Sequence, residues 1–253
     1  NSHGAPPLFD NTPPQMRMFQ RQRVPALTKF NGLLSREYTV KDVKLEDGIP
    51  ESIDTLVIAG VKQNFNEHEL YQIDQFLMKG KSLAIFVDAF NEIQQQQRRG
   101  GMNQPFYLPL NTGIEKLLDH YGVKVKKSYV MDENCYVQRG REGNDMPIYF
   151  APIIMNEKID HGLDFLQNVK QLIAIKVSPL EANEDKIKNN DLELTTLFSS
   201  SDKAWEMKGK INLMPFMIRK PEDGKGQQSF PLAYLLEGEF PSYFAGKQAP
   251  PKP

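Results

Sequence analysis

The residues best equipped for chemistry are four histidines, at positions 3, 68, 120 and 161, and one cysteine, Cys135. No two histidines lie within a few residues of each other, and neither H-E-x-x-H nor C-x-x-C occurs, so the spacing that holds a metal is missing. Each histidine therefore reads as an ordinary surface residue, and no metal or other cofactor is expected. Cys135 lacks a glycine-flanked elbow and falls in an expected hairpin, away from the end of any buried parallel strand; it reads as a plain free thiol. G-x-S-x-G does not occur. Gly80-Lys81-Ser82 has the ending of a phosphate-binding loop. However, Gln75 stands where that loop needs its first glycine, and the triplet opens a strand where the loop would open a helix. Leu83 to Asp88 resembles the strand that carries a magnesium-binding aspartate in P-loop nucleoside triphosphatases, an assignment that means little without the phosphate loop.

In open parallel sheets, ligands bind outside the carboxyl ends of the strands. Those ends lie here at Gly60 through Asn64 and at Asp88 through Asn91. Asp88 is either a site carboxylate or the cap of the turn that follows. The glutamine-rich stretch Asn91-Glu-Ile-Gln-Gln-Gln-Gln-Arg-Arg-Gly-Gly101 shares that edge and is either a partner contact or a plain flexible loop.

Composition narrows the function classes. Lys plus Arg number 31 against 32 Asp plus Glu, a net charge of −1, so the chain carries no basic excess for nucleic acid. Hydrophobic residues make up 40 % and charged residues 25 %, an ordinary globular balance. One cysteine allows no internal disulfide and leaves the compartment open. The longest clean apolar runs are about five residues, such as Leu83 to Val87, far below the roughly 18 that span a membrane. No signal-peptide pattern is present, and the start at Asn1-Ser2-His3-Gly4, without methionine, suggests a piece of something longer.

The elements that must position these residues follow from periodicity and punctuation. Thr12-Pro13-Pro14 opens a helix expected to run past Met16 and Phe19 to Phe30 and to stop at Asn31-Gly32. Tyr38 to Val43 alternates and reads as a strand. Thr55 to Ala59 and Ser82 to Val87 are continuous apolar runs, expected to be parallel strands buried on both faces. Between them Asn66 and Glu69 form a capping-box pair opening a helix with the stripe Leu70, Ile73, Leu77, and Gly80 stops it. A helix over 111–121 is stopped by Gly122, and Val123 to Val130 is a further strand. Beyond residue 134 the character turns to β: Cys135 to Gln138 and Pro147 to Met155 flank a turn, with later strands at Leu172 to Val177, Glu193 to Phe198 and Phe230 to Leu236. Residues 181–191 read as a charged surface segment. This pattern predicts an α/β three-layer domain over 1–133, a β-rich second part over 134–246 that could complete the same sheet, and a disordered tail over 247–253.

The stretch Glu51 to Asp88 resembles the core of the gliding-motility-type auxiliary components of ABC transport systems. Their pattern is an apolar strand ending in Ala-Gly-Pro, a helix with Leu-x-x-(Leu/Ile)-Asp-x-(Tyr/Phe)-Leu-x-x-Gly-Gly, and a strand ending in Asp; Val61 and Lys81 are the departures. His3-Gly4 is similar to the Gly-His-Gly-Glu after the family's first strand, with Ala5 in place of the glutamate. Gly113 to Val123, Val130-Met-Asp132, Ser199 to Trp205 and Pro231 to Ser242 also resemble family segments, so the likeness spans nearly the whole chain. The resemblance implies a flavodoxin-like or class I glutamine-amidotransferase-like parallel sheet layered with helices. Its first strand would lie largely upstream of Asn1. The resemblance further implies a periplasmic domain anchored in the inner membrane by helices outside these 253 residues, with a permease and an ATPase as partners.

The reading that leads is a non-enzymatic accessory domain acting through protein or substrate contacts, with His3, Gly60, Asn64, Asp88, Asn91 and Trp205 as candidate contact residues. A glycan- or peptide-binding envelope module using Tyr107, Trp205 and Tyr243 is the alternative. A degenerate amidotransferase-like enzyme is a third reading, but it would need a nucleophile after a buried strand, where this chain offers Asp88-Ala89-Phe90.

Overall fold

A computed structural model describes residues 2–8, 27–93, 105–140 and 143–252. The expected helix start at Thr12-Pro13-Pro14 and the centre of the glutamine-rich stretch lie outside the described residues. By contact the chain forms two compact units. One comprises residues 1–87, 111–117 and 242–253; the other comprises 88–110 and 118–241.

The first unit is built on one strand–helix–strand turn: β1 (Thr55–Ala59), α2 (Glu67–Met78) and β2 (Ser82–Phe86), with α1 (Leu27–Leu34) before it. The Asn66 side chain accepts from the Glu69 amide at 2.9 Å, and the Glu69 carboxylate accepts from the Asn66 amide at 2.8 Å, so both first-turn donors are satisfied and α2 begins there. Leu70, Ile73 and Phe76 turn one face of α2 inward. The chain leaves the helix through Gly80 at φ +71, a conformation that suits glycine. This helical crossover lets β2 lie parallel to β1, with Val57 opposite Ala84.

Here the expected architecture is corrected. Among the described residues the β1–β2 pair is the only parallel sheet, two strands wide; the other sheets are antiparallel and of two or three strands. No large flavodoxin-like or amidotransferase-like parallel sheet forms. The physical reason lies in the two apolar runs. They were expected to be buried on both faces, but β1 alternates, with Leu56 and Ile58 buried and Thr55 and Val57 exposed, and Phe86 of β2 is exposed. Tyr38 to Val43, expected as a strand, is irregular and largely exposed. After β2 the chain enters a further strand directly, without the helical crossover that another parallel neighbour requires.

The second unit consists mainly of short antiparallel pairings. β3 (Phe90–Ile93) pairs with β4 (Phe106–Pro109), β5 (Val123–Val125) with β10 (Leu180–Ala182), and β6 (Ser128–Asp132) with β12 (Ala204–Lys208). β7 (Cys135–Gln138), β8 (Met146–Met155) and β9 (Gln171–Ile173) make a three-stranded sheet, and β11 (Leu192–Ser199) pairs with β13 (Pro231–Gly238). One core cluster here joins Val130, Ile154, Ile159, Leu166, Ala204, Phe230 and Leu232. The helix α3 (Ile114–His120) crosses the sequence boundary of the two units, and α4 (Glu184–Asn189) starts at Asn183, whose side chain accepts from the Lys186 amide at 3.0 Å.

Candidate functional site

Three of the six candidate residues belong to the first unit. Gly60 directly follows β1, and His3 lies against the loop that continues from it. The His3 ring lies 3.0 Å by Nε2 from the buried Glu69 carboxylate and stacks on Phe65 with centroids 4.5 Å apart. Its carbonyl accepts from the amides of Lys62 and Gln63 at 2.8 and 3.0 Å. Gly60 has φ +66, and a Cβ there would stand 2.9 Å from the Pro6 ring. Residues 3–6 thus occupy the ground against the end of β1, and the groups that would greet a ligand are engaged with the chain itself. Asn64 lies on the same loop and is exposed.

The other three belong to the second unit. Asp88 is exposed just before β3, and Asn91 sits on β3 opposite Leu108. Trp205 is buried on β12, its ring 5.3 Å from that of Tyr149. Sequence reasoning placed Asp88 through Asn91 at the end of a parallel strand; Asp88 does follow the parallel strand β2, which ends at Phe86, while Asn91 lies within β3 of the hairpin. The register puts Glu92 and Tyr107 as one pair and Ile93 and Phe106 as the next, so the two faces differ. On the inner face Phe90 and Tyr107 pack on Tyr129, centroids 4.8 and 6.0 Å away, while Lys176 pairs with Glu92 and lies over the Tyr107 ring at 5.6 Å. Burial, reinforced by the nearby Asp88 carboxylate, pushes the Tyr129 hydroxyl well above its usual range, and burial likewise raises Tyr107. On the outer face Ile93, Phe106 and Leu108 are 42 %, 55 % and 52 % exposed. These three were not singled out from sequence; the apolar run Phe106 to Leu108 between Pro105 and Pro109 was the available signal.

The groups with catalytic potential are tied into the structure. Cys135 is buried, and burial pushes its thiol up to about 11, so it is a poor nucleophile at neutral pH. The His120 ring lies 3.1 Å from the Pro241 carbonyl, His68 3.4 Å from that of Pro250, and His161 sits between two carbonyls. Among the described residues no group of three or more His, Cys, Asp or Glu side chains could hold a metal ion. No described helix is long and apolar enough to cross a membrane.

Comparison with known proteins gives one family. No curated protein matches. A solved structure, the mmIFT52 N-terminal domain, is similar at 12 % identity with a TM-score of 0.46; the match covers 70 % of this chain and 66 %, just under two thirds, of that one. A family model described as "ABC-type uncharacterized transport system" matches residues 11–253. Membership associates the chain with the cell envelope, where such systems work. On that match the chain belongs to this family, as an auxiliary component of an ABC-type transport system.

Proposed function

We propose that this chain is a non-enzymatic accessory domain working on the extracytoplasmic side of the membrane, anchored by segments outside the 253 residues and acting by contact with the permease of its transport system and, through it, with the ATPase. The observation that carries the reading is the family match over residues 11–253. Two features of the molecule support it. The one thiol is buried and held protonated, and every histidine ring faces a carboxylate or a carbonyl. The outer face of the β3–β4 hairpin offers Ile93, Phe106 and Leu108 to a partner, an apolar surface of the kind that marks protein contacts.

The test is mild cross-linking of the full-length parent in its native cells, followed by affinity purification and mass spectrometry. Recovery of an ABC permease with its ATPase is the expected result, with cross-links to the permease from the hairpin and not from residues 3–8. Reproducible absence of both subunits with intact bait would overturn the reading.

A further inference from the structure

The turn Asn190-Asp191 carries the chain from α4 straight into β11, and between the two elements lies an open groove of about 460 Å³. It is lined by Glu184, Ile187 and Lys188 from one face of α4, by Asp191, and by the first three residues of β11, Leu192, Glu193 and Leu194. Residues of a strand alternate between its two faces, so a groove over a face would meet every second one. Consecutive residues in the lining mean that this groove runs along the edge of β11. Among the described residues that edge is open. β13 occupies one side of β11, and the other side is met only at its far end, where Phe198 bridges Ile159 and the Leu197 carbonyl accepts from the Asp160 amide. Over residues 192–196 the outer side presents main-chain donors and acceptors that no described strand takes.

The charges say which chemistry fits there. Glu184, Asp191 and Glu193 stand on the rim against the single cation Lys188, and none of the four has an ion pair among the described residues. The other lysine on that turn of α4, Lys186, is taken by Asp119 at 2.7 Å. Glu193 also faces Glu237 directly across the β11–β13 ladder, and both are exposed. Like charges opposite each other in a ladder repel, and no described cation lies within ion-pair distance of either carboxylate. The same charge keeps a second copy of the chain from adding its own β11 to this edge. We propose that the edge of β11 takes up an extended, basic segment of a partner protein as an added strand. Main-chain bonds along residues 192–196 hold the segment, and the apolar floor of Ile187, Leu192 and Leu194 receives every second side chain. The side chains between them are lysine or arginine and neutralise the rim and the Glu193–Glu237 pair. This is a different surface from the β3–β4 hairpin, and the proposal stands whatever that hairpin contacts.

The probe is a capped hexapeptide alternating valine with lysine, titrated calorimetrically into the intact chain. Binding that weakens steeply with added salt is expected, with slowed hydrogen exchange at residues 192–196 in the bound state. The same peptide with glutamate in place of lysine should not bind. Glu193→Lys should weaken binding about tenfold while leaving the fold at least as stable, because the new lysine neutralises Glu237 from within the ladder. Glu184→Lys, on α4, is the second variant should Glu193→Lys fail to fold, and the same loss of affinity is expected. No binding of the lysine peptide would overturn the proposal and leave the carboxylates as guards of a bare edge. Equal binding of the glutamate peptide, binding that leaves residues 192–196 unprotected, or full affinity in both variants would overturn it as well.

Discussion

A carboxylate taken out of water persists only where donors replace its hydration. Asp74 and Asp132 are fully buried on those terms. Asp74 accepts from the Ser242 hydroxyl at 2.7 Å, the Tyr243 amide at 2.8 Å and Gln75 at 3.1 Å; Asp132 accepts from the amides of Asn134 and Ser201 and from the Ser201 hydroxyl. Removing the acceptor orphans the Tyr243 amide, so Asp74→Ala should lower stability by about 2–4 kcal/mol and Ser242→Ala by about 1 kcal/mol in urea denaturation. Equal small losses from both would show that the carboxylate is not the anchor. Cys135 makes a second test. Burial pushes its thiol up to about 11, so about one molecule in a thousand carries a thiolate at pH 8, and a disulfide reagent should label the native protein slowly and the denatured protein at once. The same shift has a stability sign. The unfolded thiol ionises first as pH rises, so the contribution is complete below about pH 9 and is lost between about 9 and 11, an effect of at most about 3 kcal/mol. Cys135→Ala should flatten that part of the pH profile.

At the scale of elements, what the sequence disclosed depended on how local the cause was. The α2 helix was legible because its start, stripe and stop are written in Asn66, Glu69, Leu70, Ile73 and Gly80, all within fifteen positions. The β7–β8 hairpin was legible because its two apolar runs flank a polar turn. The sheet was not, because parallel or antiparallel pairing is decided by partners distant in sequence. β6 pairs with β12, about seventy residues away, and β12 went unread. Likewise, Val123 to Val130 reads as one strand but is two, broken at Lys126-Lys127, because β5 and β6 have different partners. The 181–191 segment hid β10 and α4 because its charges mask the one buried residue of the helix, Ile187. Of the candidate site, the place of Gly60 just after β1 was readable from the apolar run before it; that His3 lies against the same loop was not, because the contact joins residues about sixty positions apart, and the exposed face of Ile93, Phe106 and Leu108 was not, since exposure follows from the register of β3 on β4. A local cause also makes a sharp prediction at Gly122. It has φ +88, and an added Cβ would fall 2.7 Å from Ile187 Cγ1 and 3.0 Å from the Asn183 carbonyl. Gly122→Ala should therefore cost about 2–4 kcal/mol in thermal or urea unfolding, through the strained backbone and the overpacked start of α4. Gly143→Ala, at φ +81 with nothing within 4 Å of the added atom, is the control and should cost about 1 kcal/mol.

On the scale of the whole molecule, the first unit cannot be finished until residues 242–252 are in place. It is assembled from three separate stretches of sequence, and the third, residues 242–253, returns to α2 after the entire second unit has been traversed. Ser242 and Tyr243 bind Asp74, the Phe244 ring meets Tyr71 edge-on at 5.3 Å, the Pro250 carbonyl lies 3.4 Å from His68, and Lys252 reaches Asp47 at 3.5 Å. One side of α2 is therefore closed by contacts spanning more than 160 residues, the kind of non-local pairing that forms late in folding. Truncation after Pro241 should then act on one unit and spare the other. Hydrogen exchange in α2 should speed up at least tenfold, roughly 1.4 kcal/mol of lost local stability, while peptides around Val130, Ile154 and Phe230 keep their protection. If α2 stayed as protected as in the full chain, residues 242–252 would be lying on a helix that does not need them. If both units lost protection together, the two would be folding as one cooperative body, with stability shared in a way the division by contacts does not capture.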